Sequence, residues 1–163
     1  MTTGDLLEKE FKAGKVPKSL DGFYRGELTL LLPAKPLEHI GGIISKIYLP
    51  WKGKTFDGKK GMGDNSLPRF MVPLLTLGNE KSFVVKEEGS IARVFPFKTK
   101  ITQSVGGKRE VFQLDYNLPQ NPPAVRKVVD ELVEIGRNSY LGKAFLKEND
   151  SYRLVAFFRL FKR

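Results

Sequence analysis

The chain has no cysteine, so no disulfide framework, thiolate metal site or cysteine nucleophile can be built from it. It has one histidine, His39. A single imidazole cannot complete an ordinary zinc site, which needs three or four ligands, and the commonest general base is missing everywhere else. One histidine does suffice as an axial haem ligand, which leaves haem open through His39; otherwise no cofactor is expected. Long apolar runs are missing too. Leu28–Leu32 and Ile40–Ile44 fall far short of the ~20 residues that span a bilayer. The first ten residues carry neither a basic n-region nor an apolar h-region, so they do not read as a signal peptide, and a cytoplasmic location is expected. There is no GxGxxG ahead of a helix, no P-loop, no GxSxG elbow and no HExxH, which counts against nucleotide-dependent and hydrolytic enzymes.

What is present is the composition of an ordinary folded protein. The 163 residues are 40% hydrophobic and 28% charged, enough for one domain over 1–163 with a sizeable core. Lysine and arginine outnumber the acids by 28 to 18, for a net charge of +10. Such a surplus favours anionic partners. The basic residues are scattered, however, and the densest run, Lys52, Lys54, Lys59 and Lys60, has few aromatics to stack bases. No helix-turn-helix, zinc-finger, KH or RNP signature occurs, so specific nucleic-acid binding is not expected.

Thr3–Ala13 reads as an amphipathic helix with Leu6, Leu7 and Phe11 on one face, Gly4 or Asp5 at its cap and Gly14 closing it. Phe23–Leu32 reads as a strand, stopped by Pro33 and Pro36. Leu37, Ile40, Ile44 and Ile47 repeat at helical spacing up to Leu49, although Gly41 and Gly42 weaken that helix. Lys52–Asp57 is expected as a strand, Gly58–Asn65 as a loop, and Arg69–Leu77, Ser82–Lys86, Ser90–Gln103 and Glu110–Leu118 as further strands, with a hairpin turn at Gly106–Gly107. Pro122–Ile135 gives the strongest helical pattern: proline opens it, Val125, Val128, Val129, Leu132 and Val133 line one face, and Gly136 ends it. Tyr140–Lys147 and Tyr152–Phe161 form a final hairpin. About eight to ten antiparallel strands with two or three short helices suggest a mainly β fold closed into a barrel, because closure removes exposed strand edges.

Three groups of residues carry candidate chemistry. On the first strand Arg25 and Glu27 share a face; outside, they make a surface ion pair, and inside, the arginine needs a partner. The only tryptophan, Trp51, stands beside Lys52, Gly53 and Lys54, where it can plug the core or touch a ligand. Asp115 and Tyr116 place a carboxylate and a phenol near a turn, within reach of Lys143 and Arg159 across the sheet. That set serves either acid–base chemistry or a satisfied polar cluster.

Two stretches resemble a known family. Leu20-Asp21-Gly22-Phe23-Tyr24-Arg25-Gly26, followed by Trp51-Lys52-Gly53-Lys54-Thr55-Phe56, is similar to the bacterial family named for its Gly-x-Trp-x-Gly motif, with Phe23 or Tyr24 standing where the naming tryptophan is expected. Asp115-Tyr116-Asn117-Leu118-Pro119, Arg126, Leu141-Gly142 and Phe157-Phe158-Arg159-Leu160 resemble the domain that commonly accompanies it. The resemblance implies a lipocalin-like, calycin-type barrel, related in shape to fatty-acid-binding proteins and nitrobindins, which hold small hydrophobic molecules or haem in the lumen.

The expected function is binding of a small hydrophobic, anionic, fatty-acid-like ligand in the lumen. Tyr24, Trp51, Phe56, Phe97, Tyr116, Tyr140 and Phe158 would form the wall. Arg25, Lys54, Lys143 and Arg159 would supply cations, an arginine gripping a carboxylate bidentately. The alternatives are a lyase or isomerase that uses Asp115 or Tyr116 in the same pocket, and a basic surface for nucleic acid or an acidic partner.

Overall fold

The structure, a computed structural model, describes residues 1–32, 51–73 and 84–162. Among these residues one α-helix, α1 (Thr3–Ala13), precedes nine strands: β1 (Gly22–Leu31), β2 (Gly53–Asp57), β3 (Met62–Pro68), β4 (Val84–Glu88), β5 (Ile91–Gln103), β6 (Glu110–Asp115), β7 (Val128–Gly136), β8 (Ser139–Glu148) and β9 (Ser151–Lys162). Their order is β3-β2-β1-β9-β8-β7-β6-β5-β4, and β3 also pairs with β5. Eight strands thus close an antiparallel barrel, with β4 as a ninth strand on β5.

Closure depends on β5 changing partners halfway along. Its first part lies between β3 and β4 (Val94 opposite both Asn65 and Val84), while Lys98–Gln103 pairs with β6. The corner falls at Phe95, which takes a positive φ of 52°, uncommon for a residue with a side chain. Two asparagine side chains bond carbonyls at this corner: Asn65 Nδ2 donates to Phe95 O at 3.1 Å and Asn121 Nδ2 to Pro96 O at 2.7 Å.

The inner and outer faces of the wall are covered differently. Inside lies one large cluster that includes Tyr24, Trp51, Phe56, Phe97, Tyr116, Tyr140 and Phe158. Outside, Leu7 and Phe11 of α1 pack on Val111, Val133, Leu141 and Phe157 of β6, β7, β8 and β9. The helix is capped by Thr2 and by Asp5 three residues on, each side chain bonding the other's backbone N–H; the cap expected at Gly4 or Asp5 is therefore one turn-start earlier, at Thr2. Its far end is fixed by Arg109, whose guanidinium donates to Phe11 O, Lys12 O and Gly14 O, supplying donors where the helix's own N–H groups run out.

Three expected elements are corrected. The helix expected over Pro122–Ile135 is a single 3-10 turn, Val125–Lys127, followed by strand β7. Its apolar residues are spaced for a helix, but the same spacing serves a strand buried on both faces. Val128 and Leu132 point to the lumen cluster and Val133 to the helix outside, and the β-branched valines favour the extended form. The loop expected over Gly58–Asn65 ends at Gly61, because Met62–Asn65 pair with β2 and β5 as the start of β3. Arg69–Met71, expected as part of a strand, forms a 3-10 turn. The helix expected over Leu37–Leu49, with His39, lies outside the described residues.

Candidate functional site

Trp51 and Lys54 are three positions apart, yet both reach the interior, which a regular strand with its two-residue alternation forbids. Gly53 between them breaks the alternation. Its φ of 147° is one that residues with a side chain rarely adopt, and its Cα lies so close to β1 that a Cβ would sit 2.0 Å from Tyr24 O. The strand resumes at Lys54, which stands opposite Tyr24 on one side and Asn65 on the other.

The Lys54 side chain is wholly buried, and so is that of Asp130, 2.9 Å from it. Lys54 Nζ also donates to Asn65 Oδ1 at 2.7 Å and to Tyr116 Oη at 2.5 Å, so three acceptors meet an ammonium with three N–H groups. The Tyr116 hydroxyl donates to Asp130 Oδ2 at 3.0 Å and accepts from Asn65 Nδ2 at 3.1 Å. Among the described residues, one cation, one anion, a phenol and an amide meet here, and the two charges oppose each other.

Aromatic rings surround that set. Lys54 Nζ lies 5.0 Å from the Trp51 ring centroid and 5.3 Å from those of Phe97, Tyr116 and Phe158, within cation–π range. Three of these rings lie against glycines in the barrel wall. A Cβ on Gly26 would come within 2.4 Å of Trp51, one on Gly63 within 2.4 Å of Phe97, and one on Gly142 within 2.2 Å of Phe158. The missing side chains make room for the rings, and the rings cover the backbone those glycines would leave open. Edge-to-face contacts continue the aromatic lining from Tyr116 through Phe97, Phe56 and Tyr24 to Tyr140, at centroid distances of 5.2 to 5.5 Å.

Burial lowers the Lys54 ammonium below its ordinary range, with Asp130 acting in the opposite direction. Burial first, and the Asp130 charge second, raise the Tyr116 phenol well above its usual value. Tyr140 is pushed up to about 12, by burial and then by its neighbours Tyr24 and Glu134. Both phenols hold their protons more tightly in the folded protein than in the unfolded chain. The stability this represents is complete below about pH 10, the value of a free tyrosine, and is lost as pH rises through the folded values. In an alkaline absorbance titration at least two of the five tyrosines should stay protonated until the protein unfolds. Ionisation of all five near pH 10 with the fold intact would refute this.

The expected wall and the expected cations fare differently. All seven aromatic residues meet in the interior. Of the four cations, Lys54 alone is there. Arg25 is partly exposed on the outer face, paired with Glu27 and over the Phe161 ring. Lys143 and Arg159 face α1: Lys143 bonds Glu8 at 2.6 Å and lies 4.3 Å from the Phe11 ring centroid, and Arg159 bonds Glu10 bidentately at 2.6 and 3.1 Å. They clamp the helix to the barrel. Asp115 also points away from Tyr116, its Oδ1 accepting from Asn117 N at 2.9 Å where the chain turns. The acid beside Tyr116 is Asp130. It and Asn65 escape a sequence reading because each sits in a segment whose strand the local pattern does not show.

No protein-family model matches the sequence, and no curated protein does. In three dimensions the chain is similar to a protein of known crystal structure from Thermomonospora curvata, with a TM-score of 0.55 and 10% sequence identity over 100% of this chain and 88% of that one. At that identity the likeness is one of fold alone, a closed antiparallel barrel of eight strands.

Proposed function

We propose that the barrel binds a small, largely apolar molecule in its lumen, with the molecule's polar end at the Lys54–Asn65–Tyr116–Asp130 cluster. The observation that carries this reading is a wholly buried, charge-balanced polar cluster inside an aromatic lining. Small-molecule sites have this make-up: mostly apolar walls with a few converging polar groups. The calycin-type resemblance of the sequence points the same way.

The charge balance alters the expected ligand. Among the cations first considered, each has a carboxylate beside it: Glu27 for Arg25, Asp130 for Lys54, Glu8 for Lys143 and Glu10 for Arg159. A ligand carboxylate entering the lumen would meet Asp130 as well as Lys54, and burying a charge without a free counterion is costly. A neutral polar end, a carbonyl or hydroxyl, fits the cluster better than an acid.

Trp51, the chain's only tryptophan, sits against the cluster and reports on it. Decanol is expected to change Trp51 emission saturably and to bind more tightly than decanoic acid, and native mass spectrometry of the purified protein is expected to show a retained neutral molecule. Tighter binding of the acid would overturn the neutral assignment. No emission change with decanol, decanal or Nile red, and no retained molecule, would overturn lumen binding itself.

A further inference from the structure

A lysine is an unusual choice for the middle of an aromatic barrel. Its ammonium is strongly hydrated, and removing it from water costs several kcal/mol before any pairing returns part of it. Arginine would pair with Asp130 in a more rigid geometry, and methionine would fill the space with no charge at all. What lysine adds is a primary amine, and buried lysines in apolar surroundings are those that react with carbonyl groups.

We propose that Lys54 Nζ is a covalent attachment point for an apolar aldehyde, held as a protonated imine with Asp130 as its counterion. This rests on the lumen-binding reading and names the ligand's reactive end. The atoms balance within the cluster. Asp130 takes one proton from the Lys54 ammonium, and the freed nitrogen lone pair adds to the carbonyl carbon. A proton passes from that nitrogen to the former carbonyl oxygen, for which the Tyr116 hydroxyl, 2.5 Å from Nζ, is the available relay. The carbinolamine C–O bond then breaks, its oxygen leaving as water with the proton held by Asp130, and the nitrogen lone pair forms the C=N bond. No oxidant or reductant is needed.

The charge count is what favours this product. An ammonium and a carboxylate become an iminium and a carboxylate, so the charge pairing with Asp130, 2.9 Å away, is kept through the one N–H that remains, while the donations to Asn65 and Tyr116 are given up. The four rings at 5.0 to 5.3 Å attract the iminium as they attract the ammonium, and a substituted, more weakly hydrated cation loses less on leaving water. Exposed lysines such as Lys60, whose side chain is 78% exposed and pairs with the solvent-screened Asp57, lack a buried counterion and release an aldehyde back to water.

The test uses the unmodified protein with benzaldehyde, followed by cyanoborohydride reduction and peptide mapping, with Trp51 emission recorded beforehand. The expected result is one equivalent of benzyl adduct on Lys54 at aldehyde concentrations that leave Lys60 largely unlabelled. Asp130→Asn, which keeps the amine but removes the counterion, should lower the Lys54 adduct about tenfold or more, the scale on which one adjacent opposite charge shifts a protonation equilibrium. Lys54→Met combined with Asp130→Asn keeps the site neutral and should still quench Trp51 emission with benzaldehyde while forming no adduct there. Saturable emission change in the unmodified protein with adducts only on surface lysines would overturn the imine and leave lumen binding standing. Neither emission change nor a Lys54 adduct would overturn both.

Discussion

Lys54→Met should destabilise the protein by about 3–5 kcal/mol, the cost of leaving one partner of a buried ion pair without the other. Asp130 has no exposed surface through which water could replace the ammonium, and the Tyr116 hydroxyl at 3.0 Å brings a hydrogen bond but no opposite charge. Adding Asp130→Leu to Lys54→Met should recover most of the loss, because a buried pair replaced by apolar groups of similar volume is often neutral or stabilising. Guanidinium denaturation of the wild type, the two single variants and the double variant measures the coupling directly. Single losses that simply add in the double variant would show that Lys54 and Asp130 do not act as a pair.

Gly53→Ala should cost about 3 kcal/mol or more, since it combines two penalties of about 1–3 kcal/mol each. Alanine at a φ of 147° is strained, and its Cβ would meet Tyr24 O at 2.0 Å. Backbone cannot rotate aside as a side chain can, so β2 must move away from β1 and carry Trp51 and Lys54 with it. A red shift of Trp51 emission should accompany the lower denaturation midpoint. Gly107→Ala is the matched control: nothing lies within 4 Å of its Cβ position, and its effect should stay within about 0.5 kcal/mol. Equal effects at the two positions would refute the close-approach argument.

The sequence made some of this architecture legible and concealed the rest, for separable reasons. A strand with one buried and one wet face alternates visibly, as β1 does in part, while the β8–β9 hairpin is legible from its dense aromatic and apolar residues on either side of the Glu148–Asp150 turn, and these aromatics led to the lumen. The barrel follows from many short strands and the need to close their edges. Strand β7 was concealed because α1 covers it outside while the lumen covers it inside, so its apolar pattern loses the two-residue period that marks a strand. The error carried a functional cost, because a helical reading places Asp130 among solvent-facing acids and hides the partner of Lys54. Arg159 and Lys143 were concealed by the same layering: they line a buried surface, but it is the one beneath α1. Asn65 lay in a glycine-rich stretch whose extended form depends on pairing with strands on both sides, information that no local pattern contains.

The seam between β1 and β9, where Tyr24 pairs with Lys162 and Leu31 with Ala156, bears on how the molecule is made. Its two strands lie more than a hundred positions apart in the chain, so β1 must wait, one edge open, until nearly every other strand has left the ribosome. Contacts of that range are slow to form, on the order of milliseconds to seconds for β folds, and an open edge in the interval invites pairing with a neighbouring chain. Lys54 shares the delay, because Asp130 and the Phe158 ring reach it only as β7 and β9 take their places. The polar centre is thus among the last parts to be enclosed, and water has access to it for most of folding.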